Sequence, residues 1–255
     1  MNLGLEKKIA LVCGASQNIG EAVVRDFAQE KAKVIMLSRD EKKLKKLYDE
    51  IGGSKKGHSY YSVDLKKKNI QKKIIKKILK KYKKIDIVVH NVGGSIGIKD
   101  PLSSSDKWKK VWDFNVGISI EFNNLIIPHM KKNNWGRIVH VSSITSLNGD
   151  LETGSVPYSA SKAFLNSYIK SMGRKFAKYN IIISGIMPGA ILSKGKYWDK
   201  IKKKQPKKLK TFLLNHQSIG RLGLPNEISP FIIFLSSTKS SFACGSIIPV
   251  DGGWF

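Results

Sequence analysis

Lys8-Ile-Ala-Leu-Val-Cys-Gly-Ala-Ser-Gln-Asn-Ile-Gly-Glu-Ala-Val-Val-Arg-Asp-Phe-Ala28 is the stretch on which the fold turns. Lys8 to Cys13 is a short, nearly continuous apolar run, the pattern of a strand buried on both faces. Ile19 to Ala28 places Val23, Val24, Phe27 and Ala28 on one face of a helix. Between them lies a turn bounded by two glycines. Gly14 permits a tight turn, and Gly20 permits close backbone approach. The helix that follows offers free N–H groups and the positive end of its dipole, a site suited to a pyrophosphate. A glycine pair alone is weak evidence; its place between strand and helix strengthens it.

The same alternation continues outward from this unit. Strand-like runs are read at Lys33–Ser38, Tyr60–Val63, Ile85–His90, Arg137–Ser142, Asn180–Met187 and Ser246–Val250, with helical stretches between them. Such strands, each separated by a helix, imply a parallel sheet covered on both faces. No Pro/Gly/Ser-rich linker and no repeat interrupts the pattern, so residues 1–255 are read as one domain. The most charged stretch, Lys66–Lys84, carries Ile70, Ile74, Ile75, Ile78, Leu79 and Tyr82 on one face and lysines elsewhere. A helix lying on a membrane surface has this pattern. Strands flank it on both sides, so it is read as an outer crossover helix.

The formal net charge of +27 raises the question of a nucleic-acid or membrane partner. Of the 46 basic residues only five are arginine (25, 39, 137, 174 and 221), and the lysines are spread along the chain. Arginine is the better bidentate phosphate ligand, so the charge is read mainly as a solvated surface, with neither partner expected. Cys13 and Cys244 belong to no CxxC pair, which fits a reducing compartment and no zinc site. Met1–Lys8 has no apolar signal core, and no apolar run approaches the ~18 residues of a bilayer span. The expected location is the cytoplasm, and no metal is expected.

Two further groups carry chemistry. Leu37-Ser38-Arg39-Asp40 closes the second strand. An acidic residue at this point of a dinucleotide fold would hold the ribose hydroxyls and repel a 2′-phosphate. Ser38 removes that repulsion, and Arg39 can clamp the phosphate. Tyr158 and Lys162 are four residues apart, on one face of a helix, and Ser142-Ser143 ends the fifth strand. A free tyrosine has a pKa near ~10, and an adjacent ammonium lowers it. Tyr-x3-Lys alone is common; joined to the glycine turn and the upstream serine it becomes specific.

With these motifs the chain resembles the short-chain dehydrogenase/reductase family over essentially its whole length. The resemblance rests on the turn at residues 13–20, Val63-Asp64-Leu65, His90-Asn91-Val92-Gly93, Asn115, Ser143, Tyr158/Lys162, Pro188-Gly189 and Val250-Asp251-Gly252-Gly253. It implies a Rossmann-type, doubly wound, parallel seven-stranded sheet flanked by helices on both faces. It also implies a nicotinamide cofactor, NADP(H) rather than NAD(H) on the Ser38-Arg39 pair, and a homotetramer. By the same resemblance Gly14, Ser16, Gln17, Asn18, Ile19, Gly20, Ser38 and Arg39 hold the cofactor. Asp64 and Leu65 lie against its adenine, Asn91 and Gly93 pack along it, and Pro188, Gly189, Ile191 and Ser193 line its nicotinamide side. Ser143 orients a carbonyl, Tyr158 is the proton donor, Lys162 lowers the tyrosine pKa and holds the nicotinamide ribose, and Asn115 anchors a relaying water.

Some positions depart from the family pattern. Cys13 replaces a threonine, Asn18 a glycine, His90 and Val92 the usual Asn and Ala, and Ser184 an asparagine. Gln17 stands where many NADPH enzymes carry a second basic residue. His90 is read as a packed strand end. The stretch Asn148–Gly154 is slightly long and is expected to border the substrate. Residues 190–217 are read as a mobile lid, with Tyr197, Trp198, Phe212, Leu213 and Leu214 as its inner face and Lys200–Lys210 turned to solvent or an acidic carrier protein. Permanent packing of Trp198 on the core is the alternative. The expected activity is NADPH-dependent reduction of a small-molecule carbonyl to an alcohol. Substrates that fit are a 3-oxoacyl thioester or a sugar intermediate of surface-glycan synthesis. A non-catalytic dinucleotide-binding protein is the reading from another class.

Overall fold

In the computed structural model, residues 1–149 and 155–254 are described. Most of the Asn148–Gly154 stretch, from Asp150 on, therefore lies outside the described residues. Seven strands, β1 (Ile9–Cys13), β2 (Lys33–Ser38), β3 (Ser59–Ser62), β4 (Ile87–His90), β5 (Gly136–Val141), β6 (Ile181–Pro188) and β7 (Ile247–Val250), form one sheet. Its order is β3-β2-β1-β4-β5-β6-β7. Every neighbouring pair is parallel. The strand ends fall within two residues of those read from the sequence.

The helices are α1 (Asn18–Gln29), α2 (Glu41–Glu50), α3 (Ile70–Tyr82), α4 (Ser105–Trp112), α5 (Ile118–Lys132), α6 (Thr145–Asn148), α7 (Val156–Phe176), α8 (Tyr197–Lys204), α9 (Pro206–His216) and α10 (Pro225–Leu235). Side chains alternate across a strand, so each face of β1 feeds its own core. Ile9, Leu11 and Cys13 join Ile74, Ile75 and Ile78 of α3, Phe122 and Ile126 of α5, and Leu165 and Ile169 of α7. Ala10 and Val12 join Val23, Val24 and Phe27 of α1, Leu44 and Leu47 of α2, and Ile228 and Ile232 of α10. The lysine-rich stretch is thus a crossover helix between β3 and β4, as read. Its apolar stripe also contains the buried Gln71, which donates through Nε2 to the Leu65 carbonyl at 2.8 Å.

A third, smaller cluster sits outside both sheet faces. Ala190, Ile201, Leu209, Phe212 and Leu222 form it, with Tyr197, Trp198, Leu213 and Trp254 packed against it. The Trp198 ring lies 4.2 Å from that of Phe212, which in turn lies 5.5 Å from Trp254. Trp198 therefore belongs to neither sheet core, and Leu214, expected on the inner face, is exposed. No helix is long and apolar enough to cross a membrane among the described residues.

The order of the sheet reverses between β1 and β4, leaving a crevice at their carboxyl ends. The turn beyond β1 is built for close approach there. Gly14 has φ of +80°. A Cβ on Gly20 would fall 2.0 Å from the Gly14 carbonyl oxygen and 2.7 Å from Asn91 Nδ2. Asn18 adopts φ of +53°, the left-handed conformation that asparagine tolerates well. Gly20→Ala gains about 1 kcal/mol of helix propensity, but the clash is with rigid backbone. We expect a net loss of about 1–3 kcal/mol in urea-induced unfolding; a stability equal to or above wild type would disprove the close contact.

Candidate active site

Six of the seven carboxyl strand ends carry residues assigned to the cofactor or the reaction from the sequence. Gly14–Gly20 follow β1, Ser38 and Arg39 end β2, and Asp64 and Leu65 follow β3. Asn91 and Gly93 follow β4, Ser143 follows β5, and Pro188–Ser193 lie at the end of β6. Asn91 Nδ2 donates to the Gly14 carbonyl at 3.0 Å, tying the β4 turn to the β1 turn. The Ser16 and Ser38 hydroxyls are 2.7 Å apart, tying β1 to β2. At the far end, a Cβ on Gly189 would meet the Asp251 backbone at 2.7 Å, so the Pro188-Gly189 and Asp251-Gly252 segments pack directly.

Lys162 occupies the centre. It lies in α7 and is 2 % exposed. Its Nζ donates to the Val141 carbonyl at 2.8 Å and lies 5.8 Å from the centre of the Tyr158 ring. The half-buried Tyr158 is one helical turn earlier on the same face. Asn115 approaches from the opposite side. A Cβ on Gly93 would stand 2.8 Å from Asn115 Oδ1 and 3.0 Å from Lys162 Nζ, so only a glycine leaves room between them.

Asn115 sits in a π-helical segment, Asp113–Gly117, between α4 and α5. Its Nδ2 donates to the Val111 carbonyl, the acceptor its own backbone N–H would use in a regular α-helix, and also to the Gly94 carbonyl; its Oδ1 accepts from Gly94 N–H. Both amide hydrogens are thereby used on backbone. Ser143 Oγ accepts from Thr145 Oγ1 at 3.1 Å and from Thr145 N–H at 3.3 Å, which leaves its own proton available to another acceptor. Below it Ser142 donates to Asn166 Oδ1 at 2.6 Å, and Asn166 Nδ2 donates to Ser146 Oγ. Sequence reading had passed over Asn166. It lies one turn beyond Lys162 on α7, and that i+4 spacing is the signal that marks it.

Burial sets the electrostatics. Desolvation disfavours the Lys162 ammonium and brings its pKa down to about 7. Under the site His90 and His140 stack with ring centres 4.6 Å apart, and His90 Nε2 is 2.9 Å from Asn123 Oδ1. Both are fully buried and held neutral by desolvation; the His90 pKa falls to about 4. His90 is thus a packed strand end, as read. Cys13 is completely buried and its thiol pKa is raised by burial, so it is no nucleophile.

Residues that fold to place a dinucleotide are present: glycines whose Cβ atoms would fill the crevice, an open helix N-terminus at α1, and an amine and a phenol converging on one spot. The sheet order and this crevice put the chain in a class, the dinucleotide-binding α/β proteins with a parallel sheet. Comparison narrows it: the description "short chain dehydrogenase" matches residues 8–204, and the chain belongs to the short-chain dehydrogenase/reductase family. It is 30 % identical over 249 residues to a 3-oxoacyl-[acyl-carrier-protein] reductase of Thermotoga maritima, covering 98 % of each chain. Its structure superposes on L-sorbose reductase from Gluconobacter frateurii, complexed with NADPH and L-sorbose, with a TM-score of 0.89 and 25 % identity, covering 99 % of this chain and 98 % of that one. A 7α-hydroxysteroid dehydrogenase complexed with NADH and 7-oxoglycochenodeoxycholic acid gives 0.87 at 28 % identity, covering 99 % of this chain and 96 % of that one.

The burial of Lys162 has a measurable signature. Its folded pKa of about 7 lies below the ordinary 10.5, so the unfolded chain binds this proton more tightly. The group therefore lowers stability as pH falls from about 10.5 to about 7, and keeps that full effect below. Lys162→Met removes it. The variant's unfolding free energy should rise relative to wild type by more at pH 6 than at pH 9, a difference of ~1–3 kcal/mol. A gap independent of pH would show that Lys162 keeps an ordinary pKa.

Proposed function

We propose that this chain is an NADPH-dependent reductase that converts a carbonyl into a secondary alcohol, with Tyr158 as proton donor, and that residues 1–255 act as a single domain carrying a substrate lid at about 190–217. The observation that carries the reading is the buried Lys162 amine, held by the Val141 carbonyl beside Tyr158 and facing Gly93.

The reduced nicotinamide, when bound, supplies the hydride. Ser143 Oγ donates to the substrate oxygen and fixes the carbonyl in the plane of attack. Tyr158 gives its phenolic proton to the oxygen as negative charge develops there, a contribution of about 10²–10⁴-fold. Lys162 titrates near neutrality, so it gives up and regains a proton readily at pH 7 and can restore that of Tyr158. It also holds the nicotinamide ribose. Asn115 fixes the Gly93-Gly94 turn. Because both its amide hydrogens are used, a relaying water is left to the backbone carbonyls of the π-helical segment.

Preference for the 2′-phosphate rests on the end of β2. Asp40, the nearest carboxylate, caps α2 by accepting from Lys43 N–H and so faces the helix. Arg25 and Arg221 are held by glutamates and Arg137 by carbonyls. Arg39 is exposed and has no carboxylate partner among the described residues. Asp64 and Leu65 are assigned to the adenine, Ile19 and Asn18 to the pyrophosphate turn, and Pro188, Gly189, Ile191 and Ser193 to the nicotinamide side.

The substrate assigned is a 3-oxoacyl thioester on an acidic carrier, the activity named for the Thermotoga relative. Lys200, Lys202, Lys203, Lys204, Lys207, Lys208 and Lys210 are all exposed on α8 and α9, a basic surface suited to such a carrier. A sugar-type carbonyl is the second reading, favoured by the superposition on a reductase complexed with L-sorbose. We assign the assembly as a homotetramer and the location as the cytoplasm. Purified protein and NADPH against a panel of 3-oxoacyl thioesters and ketoses separates the two substrates.

Tyr158→Phe should reduce kcat at least ~10²-fold while nucleotide still binds; near wild-type turnover would remove Tyr158 from its role. Wild-type kcat/KM should favour NADPH over NADH, and Arg39→Ala should erode that preference by about 1–2 kcal/mol, since an exposed charge-assisted contact is screened. A wild-type enzyme that favours NADH overturns the cofactor assignment.

A further inference from the structure

A cleft of about 550 Å³ lies over the N-terminus of α1. Ser16, Gln17 and Asn18 form its floor, Lys43 and Lys46 of α2 one wall, and Lys194, Gly195 and Lys196 of the lid the other. Five cations and two carboxylates line it, because Arg25, Glu21 and Glu50 complete its rim. These charges are not equally available. Arg25 is bound by both glutamates, and Lys46 lies 3.8 Å from Glu50. Lys194 and Lys196 are exposed, with no carboxylate partner among the described residues. The nearest acid, Asp199, accepts from Gly195 N–H and Lys203. The lid therefore presents two cations without a close ion pair among the described residues to a helix N-terminus whose N-cap, Gln17, supplies no side-chain cap.

Lys43 is placed differently. Its Nζ is 3.2 Å from Gln17 Oε1 and 3.3 Å from Asp40 Oδ2. It lies in the first turn of α2, shortly after Arg39, and touches Gln17, where many NADPH enzymes carry a basic residue. A cation of α2 thus stands beside position 17.

We propose that Lys43, Lys194 and Lys196 grip the cofactor's phosphates against α1. Lys43 takes the 2′-phosphate together with Arg39, and the two lid lysines take the pyrophosphate. The inference rests on the dinucleotide reading above and adds to it a division of labour. Selectivity for the 2′-phosphate comes from α2, and general phosphate affinity comes from a segment that also roofs the substrate. Nucleotide and lid are thereby joined by charge, and affinity falls as salt rises.

Calorimetry with two probes tests this without turnover: 5′-ADP, which carries the diphosphate, and 2′,5′-ADP, which carries the 2′-phosphate. Lys43→Ala should weaken 2′,5′-ADP about tenfold and leave 5′-ADP within about twofold. The double variant Lys194→Ala/Lys196→Ala should weaken 5′-ADP about tenfold and flatten its dependence on salt. Circular dichroism confirms that these exposed substitutions leave the fold intact. Equal effects of Lys43→Ala on both probes, or a double variant that binds 5′-ADP as wild type does, overturn the lysine grip while the cofactor reading stands. Wild-type protein that binds neither probe overturns both.

Discussion

The structure depends on one contact between two glycines. α1 can start directly over the carboxyl end of β1 only because Gly20 lacks a Cβ where the Gly14 carbonyl passes. Asn91 bonds to that same carbonyl from β4, so the contact also joins the two strands at which the sheet order reverses. Crevice, helix N-terminus and turn are thus set by a single close approach. Three parallel strands bring their ends to it, and the charged groups described above are arranged around its rim.

A second constraint is the burial of an amine. Lys162 lies inside α7, between Tyr158 and the Gly93 turn, and has traded solvation for one carbonyl. That exchange weakens its hold on a proton until its pKa falls to about 7. A more exposed lysine would keep its charge at neutral pH. The neutral His90–His140 pair beneath it adds no competing charge, for burial keeps both imidazoles unprotonated at pH 7.

Much of this was legible in the sequence, for physical reasons. Strands buried on both faces must be largely apolar, so short apolar runs disclosed the five inner strands, while the edge strands β3 and β7 are only partly buried. The glycine turn and the Tyr158/Lys162 spacing disclosed the crevice and the helix face. Other features were silent. Lys43 is one lysine among many, and nothing local separates it from those that only solvate a surface; its contact with Gln17 exists because α1 and α2 lie side by side. Trp198 could be read as lid or core because an aromatic residue states that it is buried, but not against what. Its ring packs on Phe212 of the next helix, which packs in turn on Trp254 near the end of the chain. The π-helical segment at Asp113–Gly117 leaves no mark in residue type beyond Asn115 itself.

Four side-chain donors at or beside the site share one trait: their acceptors are main-chain carbonyls. Lys162 is anchored on residue 141, Asn115 on 94 and 111, Asn91 on 14, and Gln71 on 65. A carbonyl oxygen is the same whatever side chain its residue bears. The donor positions therefore tolerate almost no exchange, whereas Val141, Val111 and Leu65 can drift among apolar residues without moving the groups they anchor. Divergence in such a protein is asymmetric at every anchoring pair, and two relatives can differ widely in the strands while presenting the same arrangement at the crevice.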